Sequence, residues 1–210
     1  MTIRLEDVVE WIRRANDLIQ ENKEYLTQLD QAIGDGDHGV NMSRGFAEVL
    51  KKMSATSYQD IGAVFQDVGM TLLSKVGGAS GPLFGTAFIK AAGSLKGKQE
   101  MTIEDFSQAL QEAVGGIKLR GKAQIGEKTM LDVWEPVVSY IAEQGNETLW
   151  DHVKELSHEQ MEKTKSLEAK KGRASFLGSR SIGHLDPGSV SSYYLFATLC
   201  MTLEKGEVKP

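Results

Sequence analysis

The stretch LDQAIGDGDHGVN at 29–41 places three carboxylates, Asp30, Asp35 and Asp37, within eight residues. Carboxylates this close repel one another unless they share a cation, and oxygen donors of this kind select a hard divalent ion. Magnesium accepts one or two carboxylates, keeps some water and completes its shell with phosphate oxygens. Paired ions about 3.5–4 Å apart recur in phosphoryl-transfer sites. The spacing therefore points to magnesium and phosphate; the alternative is three solvated turn-forming aspartates.

Other chemistries fit the same residues less well. Gly34, Gly36 and Gly39 satisfy G-x-G-x-x-G, but no buried strand precedes them, and Asp35 and Asp37 would face the pyrophosphate of a dinucleotide. Counted as a calcium loop from Asp35, the fifth position is Gly39, the sixth Val40 and the twelfth Phe46, so the ligand pattern fails. GKAQIGEKT at 121–129 misses the phosphate-binding G-x-x-x-x-G-K-[ST] loop because Glu127 separates Gly126 from Lys128. Gly121, Lys122 and Lys128 remain candidate ligand contacts. The four histidines, at 38, 152, 158 and 184, form no zinc pattern, and His152 and His158 fall on a polar, exposed helical segment. A D-x-D glycosyltransferase, suggested by Asp35-Gly36-Asp37, is disfavoured by the lack of strands.

Two further stretches complement the carboxylates. GGASGPLFGT at 77–86 offers consecutive main-chain N–H groups and the Ser80 hydroxyl to an anion. KGRASFLGSRSIGHLDPGS at 171–189 brings Arg173 and Arg180, suited to phosphate or ribose oxygens or else to surface ion pairs. The 22 glycines gather at 34–45, 77–85, 115–126 and 172–188, more than helix capping needs; they serve close backbone approach to a ligand or tight turns.

The elements that must carry these loops are helices. Apolar residues recur at spacings of three and four through Leu5, Val8, Val9, Ile12, Ala15 and Ile19, and again through Ile61, Phe65, Val68 and Leu72. Further stripes run through Phe106, Ala109, Ala113, Val114 and Ile117, and through Leu131, Trp134, Val138 and Ile141. A weaker one runs from Leu149 through Val153 and Leu156 to Gln160, and a last one from Tyr193 to Leu203. TIED at 102–105 reads as a capping box, and Pro136 as the start or a kink of its helix. The expectation is a single all-α unit over 1–210, with seven to nine helices and no clear linker.

Composition narrows the partners. A net charge of −5 disfavours nucleic acid as the main ligand, and 40% apolar with 25% charged residues predicts a soluble globular chain. No apolar run approaches a membrane span, and the charged N-terminus lacks a signal-peptide core. Cys200 is the single cysteine, inside an apolar run; it reads as a small buried hydrophobe in a cytoplasmic protein.

The motifs LDQAIGDGDHGVNMSRGF, VGGASGPLFGT, RGKAQIGEKTMLDVWEP and KGRASFLGSRSIGHLDPG, in this order, resemble the nucleotide-binding L subunits of bacterial dihydroxyacetone kinases over residues 8–204. The resemblance implies a closed barrel of about eight antiparallel helices with the nucleotide in the loops at one end. It implies that Asp30, Asp35 and Asp37 hold two magnesium ions. His38, Gly39, Val40 and Asn41, with Ala79 and Ser80, would contact the nucleotide phosphates. Gly121 and Met130 would border the adenine, and Arg173 with Asp186, Pro187 and Gly188 would complete the pocket. Phe176 and Ser179 stand where family members often carry Tyr and Glu.

In this family ADP stays tightly bound, is phosphorylated in place by the phosphohistidine-bearing M subunit of a phosphotransferase system, and passes the phosphoryl group to dihydroxyacetone on a K subunit. No separate catalytic nucleophile is then required. The competing expectations are a subunit exchanging free ATP, as in ATP-dependent kinases, and a nucleotide-loaded module that binds a transcription regulator, a role some members add to catalysis.

Overall fold

The computed structural model describes residues 1–204, so residues 205–210 of the expected 1–210 unit lie outside the described residues. Nine α-helices account for most of the described chain: α1 (Leu5–Glu21), α2 (Lys23–Ile33), α3 (His38–Ser54), α4 (Ile61–Lys75), α5 (Ser80–Ser94), α6 (Ile103–Gly121), α7 (Leu131–Gln144), α8 (Trp150–Lys163) and α9 (Pro187–Leu203). Short 3-10 segments occupy 145–147, 164–166 and 173–181. The helices from α3 to α9 each pack on the next, and α1 closes the ring between α9 and α3. The result is a closed bundle of eight helices, as the motifs imply, with α2 set against α3 and α9.

Direction alternates around the ring. The connections at 34–37, 76–79, 122–130 and 164–186 meet at one rim, where residues from all four line one cavity. The opposite rim holds the connections at 55–60, 95–102 and 145–149 and a feature the sequence reading missed. Strand β1 (Thr2–Arg4) pairs antiparallel with β2 (Glu100–Thr102), placing Ile3 opposite Met101. Three-residue strands are too short to display an alternating pattern. At that rim Leu5 N–H donates to the Gln99 carbonyl (3.0 Å) and Ile61 N–H to the Lys98 carbonyl (2.7 Å).

The interior of the ring is filled by side chains. Trp11 lies about equally far from Phe65, Phe88 and Phe106, at 6.0, 6.1 and 6.2 Å between ring centroids, and Phe65 meets Phe88 at 5.5 Å. The Trp11 indole N–H donates to the Leu195 carbonyl at 2.8 Å, satisfying its one polar group. The stripe residues of α4, α6 and α7 are all buried. Helix α9 is buried over 14 of its 17 residues. The hydroxyls of Ser192, Thr198 and Thr202 on α9 donate to carbonyls one turn back, so burial leaves them satisfied.

The capping box is present: Thr102 Oγ1 accepts from Asp105 N–H and Asp105 Oδ2 from Thr102 N–H, each at 3.2 Å. Two local readings differ. Pro136 does not start α7, which begins at Leu131; it lies inside the helix, the position that the kink alternative requires. Leu149 is 66% exposed and caps α8 from an extended backbone, so the buried face of that helix starts at Trp150. Helices α4 and α5 cross closely: a Cβ on Gly69 would meet the Gly85 carbonyl oxygen at 2.8 Å, and one on Gly85 the Gly69 oxygen at 2.8 Å. Among the described residues no helix is long and apolar enough to cross a membrane.

Candidate functional site

Asp30 lies in the last turn of α2, and Asp35 and Asp37 in the turn that follows. One oxygen from each lies within 4.8 Å of the others. The turn is held by Asp30, whose Oδ2 accepts from the main-chain N–H of Asp37 (2.8 Å) and of His38 (3.1 Å). Gly36 takes φ +74°, a conformation glycine adopts without strain, and this lets the chain double back so that Asp35 and Asp37 approach Asp30. Three hard oxygen donors in this arrangement fit magnesium. The cation the cluster does touch is Arg173, whose Nη2 lies 3.0 Å from Asp35 Oδ2.

Across the cavity stands the 77–80 segment leading into α5. Gly78 has φ +66°, and a Cβ there would meet Asp37 Oδ1 at 3.9 Å, so this loop and the carboxylates are immediate neighbours. Helices α3, α5, α7 and α9 all begin at this rim, and His38, Ser80, Met130 and Pro187 at their starts line the cavity. Each helix start carries the positive end of the helix dipole, and at α3 and α9 Asp30 and Asp186 take up the His38 and Ser189 N–H groups. Four such ends facing one cavity make it a site for a strongly anionic ligand, with the carboxylates serving the cations that accompany it.

His38 is buried, and its ring is held from both sides: Nδ1 lies 2.9 Å from Ser80 Oγ and Nε2 2.7 Å from Ser191 Oγ. Burial pulls its pKa down to about 4, so the ring is neutral near pH 7. Asp186, the α9 cap, accepts from Ser189 N–H (2.7 Å) and Ser189 Oγ–H (3.0 Å), and burial pushes its carboxyl up to about 7. Lys128 is 2% exposed; its ammonium donates to the carbonyls of Thr164 (2.7 Å), Leu167 (3.1 Å) and His184. It therefore ties the 122–130 connection to the 164–186 connection. Asp132 braces the same floor, accepting from Gly126 N–H (2.5 Å) and Thr129 N–H (2.6 Å).

Beside this polar end lies a more apolar recess lined by Leu83, Ile117, Gly121, Ala123 and Met130, which shares Leu83 and Met130 with the first. An acidic and glycine-rich end joined to an apolar end fits a ligand with phosphates at one end and a flat base at the other.

The family model of the DAK2 domain matches residues 32–201. The chain belongs to the DAK2-domain family. It is 42% identical over 210 residues to the ADP-binding subunit DhaL of the PEP-dependent dihydroxyacetone kinase of Escherichia coli K12, an alignment covering 98% of this chain and 100% of that subunit. It is 46% identical over 202 residues to the corresponding ADP-binding subunit DhaL of kinase 1 from Listeria innocua, covering 96% and 98%. The fold resembles the crystal structure of the C. freundii dihydroxyacetone kinase in complex with AMP-PNP and Mg2+, with a TM-score of 0.73 at 22% identity. That match covers 92% of this chain and 33% of the longer kinase.

Within this DAK2 domain, most of the residues singled out from sequence meet at one place. Asp30, Asp35, Asp37, His38, Ala79, Ser80, Met130, Arg173, Asp186, Pro187 and Gly188 all line the cavity, and Gly121 lines the adjoining recess. Gly39, Val40 and Asn41 lie on the first turn of α3 and do not line the cavity. Gly39 faces α2, where a Cβ would meet the Lys23 carbonyl oxygen at 2.1 Å; its lack of a side chain serves packing. Val40 is 44% exposed, and Asn41 Oδ1 accepts from Arg44 Nη2 at 2.7 Å.

Arg180 and Lys122 are exposed and line neither cavity. Lys128 is spent on carbonyls rather than free for a ligand. Sequence reasoning missed Ile33 and Leu83 as cavity wall, because apolar residues beside a polar motif carry no chemical signal of their own. It also missed the structural task of Lys128, though a lone lysine amid turn residues is a place to look for one.

Proposed function

We propose that this chain is the ADP-binding subunit of a phosphoenolpyruvate-dependent dihydroxyacetone kinase, working as one unit over 1–210 in the cytoplasm, where its single, buried cysteine stays reduced. The observation that carries the reading is the cavity in which three carboxylates face the starts of four helices. Similarity supports the subunit reading: the chain is 42% and 46% identical to the DhaL subunits and 22% identical to the part of the longer kinase that it matches.

Asp30, Asp35 and Asp37 are the residues to hold two magnesium ions. The main-chain N–H groups at 77–80 and Arg173 bind and orient the phosphates, with Asp186, Pro187 and Gly188 shaping the opposite wall. Gly121 and Met130, beside Leu83, border the adenine. Bound there, magnesium–ADP would supply the phosphoryl-relay chemistry between a phosphohistidine of the M subunit and dihydroxyacetone held by the K subunit. The chain's own share is positioning and charge compensation, which in phosphoryl transfer amounts to most of catalysis. Binding of a transcription regulator by the loaded subunit is a further role open to the same surface.

The test is direct. The protein is purified without added nucleotide, dialysed extensively against magnesium buffer, denatured in acid, and the released material resolved by anion exchange. Near-stoichiometric ADP supports a resident cofactor; an empty site that fills reversibly with ATP replaces this reading with an ATP-exchanging kinase.

A further inference from the structure

Three residues of α3 meet the foot of the connection that carries the cavity-lining segment 77–80. Arg44 and Gly45 follow Asn41 by three and four positions, so the three share one face of the helix. Against that face lie Lys75, the last residue of α4, and Val76 and Gly77, which begin the connection. Gly45 leaves no room for a Cβ beside the buried Val76, and a Cβ on Gly77 would meet Asn41 Nδ2 at 2.9 Å and Oδ1 at 3.1 Å. The Asn41 amide is therefore the surface on which Gly77 rests.

Arg44 ties two of these contacts together. Its Nε donates to the Lys75 carbonyl (3.1 Å) and its Nη2 to Asn41 Oδ1 (2.7 Å). The Lys75 carbonyl belongs to the last turn of α4, where carbonyls lack a helical partner and the helix dipole favours a cation. Arg44 itself lines neither the cavity nor the adjoining recess, whereas Gly77, Gly78, Ala79 and Ser80 all line the cavity. A guanidinium presents its donors in one rigid plane; a lysine would bring the charge without that geometry.

We propose that Arg44 is a positioning residue for the phosphate end of the cavity: by joining the end of α4 to the Asn41 amide it fixes Gly77, and with it the direction in which the main-chain N–H groups of 77–80 face. Arg44 touches no ligand; it acts from outside the cavity, through Asn41. The inference rests on the reading of this cavity as a magnesium–ADP site.

The test uses the full chain stripped of nucleotide, with magnesium–ADP affinity from titration calorimetry and main-chain 15N order parameters at 77–80 from NMR. Arg44→Ala weakens binding about three- to tenfold, the worth of one well-placed hydrogen bond, and lowers the order parameters of the nucleotide-free loop. Arg44→Lys does no better than Arg44→Ala on either readout. Asn41→Ala weakens binding to a similar degree. The double variant binds within about twofold of Asn41→Ala, because without the amide the exposed bond to Lys75 no longer bears on Gly77. Independent of any variant, the Arg44 Nε–H of the wild type exchanges with solvent more slowly than that of the exposed Arg180. Wild-type affinity in Arg44→Lys would reduce the role to charge and overturn the inference. Losses that multiply in the double variant, unaltered loop order in Arg44→Ala, or an Arg44 Nε–H that exchanges as fast as that of Arg180 overturn it too, and all of these leave the cavity's assignment standing. A wild type that binds no magnesium–ADP takes down that assignment and this inference with it.

Discussion

The Arg173 guanidinium reaches 3.0 Å from Asp35 Oδ2, so the same carboxylate is contested by a side-chain cation and by any metal the aspartate cluster takes up. Arg173 also lines the cavity, within reach of an anionic ligand. Arg173→Gln therefore changes two affinities in opposite directions. Magnesium or manganese binding to the nucleotide-free chain tightens by about threefold, a small effect because the pair is solvent-exposed. ADP binding weakens. Titration of metal and of nucleotide into the same variant measures both, and a weakening of both would refute the competition.

Asp35 and Asp30 separate chemistry from structure. Asp35→Asn abolishes magnesium-dependent phosphoryl transfer and leaves the urea midpoint unchanged, since Asp35 braces no main-chain group in the turn. Asp30→Ala costs about 1–2 kcal/mol of unfolding free energy in addition, because the Asp37 and His38 N–H groups lose their acceptor. Urea denaturation with a coupled activity assay distinguishes the two.

Lys128 should behave as a structural pin. Lys128→Met keeps the volume of the stem but strands three carbonyls, costing about 2–4 kcal/mol and loosening the 164–186 connection. Hydrogen exchange would place the loss of protection at 164–167 and around His184; unaltered exchange there would count against the pin.

The glycines divide by what surrounds them. Gly85→Ala forces a Cβ to within 2.8 Å of the Gly69 carbonyl oxygen, for a cost of about 1–3 kcal/mol. Gly115→Ala, inside α6 with nothing within 4 Å, gains about 0.5–1 kcal/mol. Thermal unfolding of the two variants should move in opposite directions.

Asp186 gives stability a pH dependence of known sign. Its folded pKa of about 7 is above the ordinary carboxylate value of 3.8, so the native state holds a proton that the unfolded chain has lost. Its contribution is therefore most favourable below pH 4 and declines as pH rises towards 7. Asp186→Asn removes this slope, so the variant gains on the wild type between pH 4 and 7 by on the order of 3 kcal/mol. Urea titrations at pH 4.5 and 8 read the difference; a constant offset would refute it.

What was legible in the sequence follows from which signals are local. The helix stripes of α4, α6 and α7 could be read because packing imposes a period on residues close in the chain. The three aspartates could be read because their meeting needs only one turn. The His38–Ser191 contact spans 153 positions, and two serines and a histidine carry no pattern that would announce it. The glycine clusters misled in part, since Gly39, Gly45 and Gly85 serve helix packing, with Gly45 set against Val76, while Gly36 and Gly78 shape the site. A glycine looks the same in sequence whether the close neighbour is a ligand or another helix.

The alternation of helix direction fixes where this polypeptide can be cut or extended. The contributors to the cavity arrive at or beside four crossings at the same rim, each separated from the next by two helices, so only a fragment spanning at least 30–188 retains every lining residue. The far-rim connections at 55–60 and 145–149 contribute nothing to the cavity lining. Insertions, fluorescent tags or relocated chain ends placed there leave the working rim unaltered, whereas the same changes at 34–37 or 76–79 break it.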